Sequence, residues 1–273
     1  MPRNTANDLC ERGDGRILVA SDRGMLIFDP TTHAISRLHL VDPLGRRLDS
    51  IPVHSLFHDS RGNLWMGTGT EGMFKLEPHG RKVLNYRHRE GDSSSISSDY
   101  ITDIVEGQHG NLWIAAQKEV DLFSPVTGHR TPYLPFGRAP QRSGGNHLVS
   151  VDRTGTIWIG TVGDGVYWLS PKSQRFPNYS LRDVDGSPRT FETIERSHDG
   201  TFWFSSVGKL FQIDVTTHRA LKTIDVFRGR KQTLRIPDNS MSMLDEGGIF
   251  WYGTWGLGLY KINLSTGQIK NYS

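Results

Sequence analysis

Only one cysteine, Cys10, occurs in the 273 residues. That excludes an internal disulfide framework and a cluster of thiolate metal ligands. No run of some 18 or more apolar residues is present, so no segment reads as a membrane helix and direct membrane insertion is not expected. The opening stretch, Met1-Pro2-Arg3-Asn4-Thr5-Ala6-Asn7-Asp8, lacks the apolar core of a signal peptide. No window holds a 3.6-residue period long enough for a helix. Charge of one sign is scarce too. The 32 Lys and Arg against 29 Asp and Glu leave +3, too small a surplus to imply a nucleic-acid partner. No HExxH or GxSxG motif appears, and His54 and His58, four apart, would stand about 13 Å apart on a strand. Neither a metal site nor a cofactor is expected.

What the sequence does have is glycine, tryptophan and a period. Gly62-Asn63-Leu64-Trp65-Met66-Gly67-Thr68 returns as Gly110-Asn111-Leu112-Trp113-Ile114-Ala115-Ala116 and as Gly155-Thr156-Ile157-Trp158-Ile159-Gly160-Thr161. Two further copies are Gly200-Thr201-Phe202-Trp203-Phe204-Ser205-Ser206 and Gly248-Ile249-Phe250-Trp251-Tyr252-Gly253-Thr254. A weaker first copy, Gly15-Arg16-Ile17-Leu18-Val19-Ala20-Ser21, has Leu18 in place of the Trp. Within each copy an apolar stretch precedes a turn such as Asp59-Ser60-Arg61-Gly62, whose Gly supplies a positive φ. The Trp stretch, a loop, a third stretch and a short fourth stretch follow, which makes a four-stranded antiparallel meander.

Four-stranded units recurring every 40–50 residues predict an all-β chain, a β-propeller with six repeats visible. The expected organisation is a single propeller domain or fragment over 1–273, with approximate blades 5–52, 53–100, 101–146, 147–190, 191–239 and 240–273. One meander cannot bury both faces. Trp65, Trp113, Trp158, Trp203 and Trp251 are therefore expected to form the structural repeat core, filling the space between adjacent blades. The motif Gly67-Thr68-Gly69-Thr70-Glu71-Gly72 spells GxGxxG, but no helix follows it, so it reads as a propeller loop.

The fullest copy runs Asn85-Tyr86-Arg87-His88, then Asp92-Ser93-Ser94-Ser95-Ile96-Ser97-Ser98-Asp99-Tyr100-Ile101, then Gly110-Asn111-Leu112-Trp113-Ile114. This pattern resembles the two-component regulator propeller family, in which a blade ends on an aromatic and an Asp- and Ser-rich linker leads into the next blade. Gly67-Thr68 through Gly72-Met73, Gly160-Thr161 through Gly165-Val166 and Gly253-Thr254 through Gly258-Leu259 match the family's small-residue and Gly steps. Copies three and five depart from it, with Glu119 and Lys209 where a Gly is expected before the third strand. Copy five also replaces the linker by Gly186-Ser187-Pro188.

The resemblance implies a ligand-sensing module of a bacterial signal-transduction receptor of the two-component or diguanylate-cyclase type, and a periplasmic location. The chain itself is not expected to be an enzyme, since a linked kinase or cyclase would lie outside it. Family propellers are typically seven-bladed and often paired, so these six copies either lack a seventh blade or close at six. Partners implied are further blades or a second propeller, the signalling domains of a longer receptor, and a second copy in a homodimer.

Propeller topology sends the loops between second and third strands, and the linkers between blades, to one face. The linkers hold 11 of the 23 arginines. Arg presents a planar fork that suits carboxylate and sulfate groups. The expected ligand is a small molecule or oligosaccharide, an acidic oligosaccharide fitting the arginines, with Tyr100, Tyr133 and Trp255 as flat surfaces for sugar rings. The candidate ligand-binding residues are Arg23, Glu71, Arg87, Arg89, Lys118, Asp164, Arg228, Arg230, Arg235 and Trp255. No catalytic residue stands out. The alternatives are a propeller enzyme of the streptogramin-lyase or lactonase type, or a protein-interaction scaffold.

Overall fold

The computed structural model describes residues 6–42, 45–78, 82–117, 119–133, 148–161, 165–170, 178–179, 191–197, 199–206, 208–214, 217, 219–228, 241–245, 247–254 and 258–272. The short apolar stretches form six four-stranded antiparallel sheets, each in sequence order. Blade 1 is Ala6–Glu11, Ile17–Ser21, Gly24–Phe28 and Ile35–Arg37. Blade 2 is Val53–His58, Leu64–Thr68, Met73–Leu76 and Val83–Tyr86; blade 3 is Ile101–Glu106, Leu112–Ala116, Val120–Phe123 and Arg130–Tyr133. Blade 4 is Leu148–Val151, Ile157–Thr161, Gly165–Leu169 and Asn178–Tyr179. Blade 5 is Thr193–Arg196, Phe202–Ser206, Lys209–Ile213 and Ala220–Asp225. Blade 6 is Met241–Leu244, Ile249–Thr254, Gly258–Asn263 and Ile269–Tyr272. These are the blades of a six-bladed β-propeller fold, and the helical content among the described residues is confined to single turns such as Gln108–Gly110.

The second strand of blades 2 to 5 is buried along its whole length. A strand buried on both faces needs apolar or small residues at every position, which is why these segments read Leu-Trp-Met-Gly-Thr or Phe-Trp-Phe-Ser-Ser instead of alternating with polar residues. The turn before each Trp strand is held by its own carboxylate where one is present. Asp59 Oδ1 accepts from the N–H groups of Arg61 and Asn63, and Oδ2 accepts from Asn63 Nδ2 at 2.7 Å and Trp65 Nε1 at 2.8 Å. Gly62 closes this turn at φ +78°. Asp152 repeats the device, accepting from Thr154 N, Thr156 N and Trp158 Nε1. Blade 3 has Gly107 at that position. Its Trp113 indole lies so close that a Cβ on Gly107 would stand 2.7 Å from Nε1.

The chain divides into two compact units, 1–139 with 144–149, and 140–143 with 150–273. In the first, Leu18 of blade 1 occupies the Trp position and packs with Leu56, Met66 and Phe74 of blade 2. Trp65 and Met73 of blade 2 pack with Ile104, Leu112, Ile114 and Phe123 of blade 3. In the second unit Trp158 packs against Phe202 and Phe204 of blade 5, and Trp203 against Phe250 and Tyr252 of blade 6. One departure expected from the sequence dissolves here. Blade 5 keeps its glycine one place earlier, since Gly208 has φ +74° immediately before Lys209, which pairs with Ser206. Blade 3 has no such glycine, and Ala116 N reaches Glu119 O directly.

Candidate functional site

In the first unit the hairpin loops and the linkers do converge. Thr68 Oγ1 accepts from Glu71 N and donates to Gly72 O, which forms the tight step between the second and third strands of blade 2. Gly72 sits at φ +73°, and a Cβ there would fall 2.2 Å from Tyr86 O, so no other residue fits this close approach. Its N–H donates to Asp99 O in the next linker. The loop thereby presents Glu71 between two linkers.

Glu71 Oε2 accepts from Arg46 Nη1 at 2.9 Å and from Arg87 Nη1 at 3.1 Å. Arg46 Nε also donates to Asp42 Oδ2 at 3.0 Å, and Arg87 Nη2 donates to Asp99 Oδ2 at 2.8 Å and to Thr70 O at 3.2 Å. The result is an alternating chain, Asp42–Arg46–Glu71–Arg87–Asp99, with three carboxylates to two guanidiniums. The bond to Asp99 raises the pKa of Arg87, and the bonds to Glu71 and Asp42 raise that of Arg46. Nearby, the bonds from His39 and then Arg47 hold the Asp49 carboxyl down to about 2. Deeper in blade 3, Arg130 Nη1 spans Glu119 at 3.0 Å and the buried Asp121 at 2.9 Å. Burial raises the pKa of Asp121, while Ser97 N donates to its other oxygen.

Glu71 and Arg87, both expected from the sequence as ligand contacts, are paired with each other in this arrangement. Arg23 is exposed; its backbone N–H donates to Ser21 Oγ and its carbonyl accepts from Arg37. Arg89 is exposed as well and stands 4.0 Å from Asp92. Arg228 is exposed in the second unit. Lys118, Asp164, Arg230, Arg235 and Trp255 lie outside the described residues. Of the repeat tryptophans, Trp65, Trp113, Trp158 and Trp203 are buried. Trp251 is only partly so; Tyr272 stacks on it at 6.2 Å between ring centroids, and Lys261 Nζ lies 5.2 Å above it.

A second cluster was not anticipated. Asn7 Nδ2, on the first strand of blade 1, donates to Asp22 Oδ1 at 2.9 Å and to Val53 O at 2.8 Å. Next to it is His54, the second residue of the first strand of blade 2. Its imidazole faces Tyr100 edge-on at 5.0 Å and touches Gly69, where a Cβ would come within 3.0 Å of Cε1. Burial pushes the His54 pKa below its ordinary value, so the ring is neutral at pH 7. A neutral imidazole, a phenol and a carboxylate at the mouth of the hairpins offer donors and acceptors with a flat apolar surface. The available signal was that His54 is the second residue of the first strand of blade 2 and Tyr100 immediately precedes the first strand of blade 3. Among the described residues, no group of three or more His, Cys, Asp and Glu side chains is placed to hold a metal ion.

The fold and the sheet order define a class, a β-propeller of four-stranded blades. Residues 47–70 match the family model described as two component regulator propeller. The chain is similar in fold to the extracellular domain of the hybrid two component system BT3049 from B. thetaiotaomicron, with TM-score 0.75 and 14% identity. That match covers 100% of this chain and 36% of the other, so the chain spans about a third of its length. The extracellular domain of BT4673 from the same organism, described as a one component system, matches at TM-score 0.49 and 16% identity, over 99% of this chain and 43% of that one. No curated protein matches the sequence.

Proposed function

We infer that the chain is a ligand-sensing propeller module of a bacterial receptor. It would work on the outer side of the membrane, in the periplasm, and pass its state to signalling domains elsewhere in a longer receptor. The match of residues 47–70 to the two component regulator propeller model supports a sensor, and the BT3049 domain to which the fold is similar is extracellular. Sensing requires a ligand that binds one arrangement better than another, and needs no bond to be broken.

The ligand class that fits is an oligosaccharide, bound at the hairpin and linker face of the first unit. The observation that carries this is the His54–Tyr100–Asp22 cluster. A neutral imidazole and an aspartate can share hydroxyl groups while the aromatic rings cover a sugar face. With Arg46 and Arg87 engaged by Glu71, an acidic group on the sugar would be met by Arg23, adjacent to Asp22. The test is titration calorimetry with a panel of acidic and neutral oligosaccharides. A sugar should bind, His54→Ala and Tyr100→Ala should each weaken it roughly tenfold, and Arg87→Ala should leave it nearly unchanged. Binding that ignores His54 and Tyr100, or no binding across the panel, would overturn the assignment.

A further inference from the structure

Three polar side chains hold the same place in the first three blades. The pairing of first and second strands slips by one residue between Ala6 and Asp8 in blade 1, between Val53 and Ser55 in blade 2 and between Ile101 and Asp103 in blade 3. Each slip is a β-bulge, and the residue left over is Asn7, His54 and Thr102 in turn. A bulge takes its extra side chain out of the strand's alternation and re-aims it. The flanking Val53, Ser55 and Ile101 are buried, whereas Asn7, His54 and Thr102 are all only half-buried. The three belong to the same compact unit.

What these side chains can offer a ligand follows from where their hydrogens go. An amide carries two N–H hydrogens, a neutral imidazole one and a hydroxyl one. Asn7 gives both of its hydrogens to the scaffold, to Asp22 Oδ1 at 2.9 Å and to Val53 O at 2.8 Å. His54 repeats the second of these bonds one blade further on. Burial lowers its pKa, and against that its ring hydrogen-bonds to the carbonyl of Ile101, the register counterpart of Val53. Thr102 Oγ1 donates to Ala115 O at 3.2 Å. Each donor is therefore consumed inside the protein, and the capacity that remains on all three side chains is to accept. Asp22, which is exposed, adds further lone pairs and a negative charge. Tyr100 adds its flat ring and one hydroxyl.

We propose that this arc of bulge residues selects for hydroxyl hydrogens, so that the sugar face it takes is uncharged. The proposal rests on the oligosaccharide assignment and narrows it. A sugar hydroxyl can turn its hydrogen towards a lone pair, whereas a carboxylate or sulfate brings only lone pairs of its own. An acidic group on the arc would give up its water beside the charge of Asp22 and find acceptors in place of donors, which is costly. Selectivity of this kind is built by rejection as much as by attraction. An acidic substituent is thereby confined to the Arg23 side of Asp22, off the arc.

The experiment is titration calorimetry on the full chain with trisaccharides of glucose, mannose and galactose. Each is used in its neutral form and with its primary hydroxyls oxidised to carboxylates. For a sugar that binds, the neutral form should bind roughly tenfold or more tightly than the oxidised one. Asp22→Asn, at an exposed loop position, removes the charge and should narrow that gap about threefold. His54→Gln keeps a donor for the Ile101 carbonyl and an acceptor for the sugar. It should stay within about threefold of wild type, while His54→Leu should lose roughly tenfold. An oxidised form that binds as tightly as the neutral one overturns the proposal and leaves the oligosaccharide assignment standing. So does a gap indifferent to Asp22→Asn, or binding lost as fully in His54→Gln as in His54→Leu. If no sugar binds in either form, the oligosaccharide assignment itself fails, and the proposal falls with it.

Discussion

Blade 2 and blade 6 carry almost the same motif, Gly62-Asn63-Leu64-Trp65-Met66-Gly67-Thr68 against Gly248-Ile249-Phe250-Trp251-Tyr252-Gly253-Thr254. In both, the turn glycine has a positive φ and a second positive-φ glycine leads into the third strand, at Gly72 and Gly258. Yet Trp65 is fully buried and Trp251 only partly. The residue is the same and its surroundings differ, because Trp65 is covered by Ile104, Leu112, Ile114 and Phe123 of blade 3. A repeat therefore encodes the capacity to stack, and the next blade converts that capacity into stability.

The largest effect expected is on this pair. Trp65→Ala should cost about 3–5 kcal/mol in urea unfolding, since it leaves a cavity among side chains that cannot all collapse into it. Trp251→Ala in dilute protein should cost about 1 kcal/mol or less, because water already reaches that face. Equal losses would break the comparison. Next comes the turn beneath each Trp. Removing the Asp59 carboxylate orphans the Trp65 indole and three further donors, and Asp59→Ala should cost about 3 kcal/mol. In blade 6, among the described residues, Asp245 accepts from the N–H groups of Gly247 and Ile249, so Asp245→Ala should cost about half as much. Circular dichroism melts of the two variants side by side measure the difference.

A third contrast lies where blade 1 meets blade 2. Asp8 Oδ2 accepts from Leu56 N at 2.7 Å, while Ser55, at the corresponding place in blade 2, is buried with its Oγ unpartnered. Burial raises the Asp8 pKa from 3.8 to about 6, against the bonds from Leu56 and Leu9, and the carboxylate also faces Cys10 on its own strand. The folded protein thus holds this proton more tightly than the unfolded chain. The resulting stability is fully present below pH 4 and is lost as pH rises through 6. A shift of this size corresponds to roughly 2 kcal/mol once partial solvent screening is allowed for. Asp8→Asn has no such proton to lose. The stability of wild type minus that of Asp8→Asn should therefore fall between pH 4 and pH 7, and a flat difference would remove Asp8 from the account.

The meander, the turns and the Trp positions were legible in the sequence because each rests on local chemistry repeated several times. Gly62 and Gly155 close turns that need a positive φ, and Trp65 and Trp158 follow at fixed offsets from the Asp that holds the turn. The site was less legible, because it depends on which distant residues meet. Arg46, Glu71 and Arg87 are 25 and 16 residues apart along the chain. Composition alone presents the two arginines as part of a reservoir of exposed positive charge. His54 was hidden for a similar reason: its partner Tyr100 belongs to the next linker, and its loss of charge comes from burial that no spacing encodes.

The smallest expected effect concerns that same ion chain, and it separates the rim of blade 2 from its core. The Arg87 side chain is 42% exposed, so its pairs with Glu71 and Asp99 work in water and lose most of their Coulomb energy to solvent and salt. Arg87→Ala should cost about 0.5–1 kcal/mol at low salt, and the difference from wild type should shrink in 1 M NaCl, where the screening length is about 3 Å. Glu71→Gln should do more than its own loss suggests, because it leaves Arg46 and Arg87 facing each other without the carboxylate that both use. The double variant Glu71→Gln, Arg87→Ala should then recover part of the loss seen in Glu71→Gln alone, and that double-mutant cycle reads the coupling directly. Strict additivity would mean that the two guanidiniums do not share Glu71 in solution. They would then be open to an anionic ligand, and the face would again read as the basic surface that the sequence suggests.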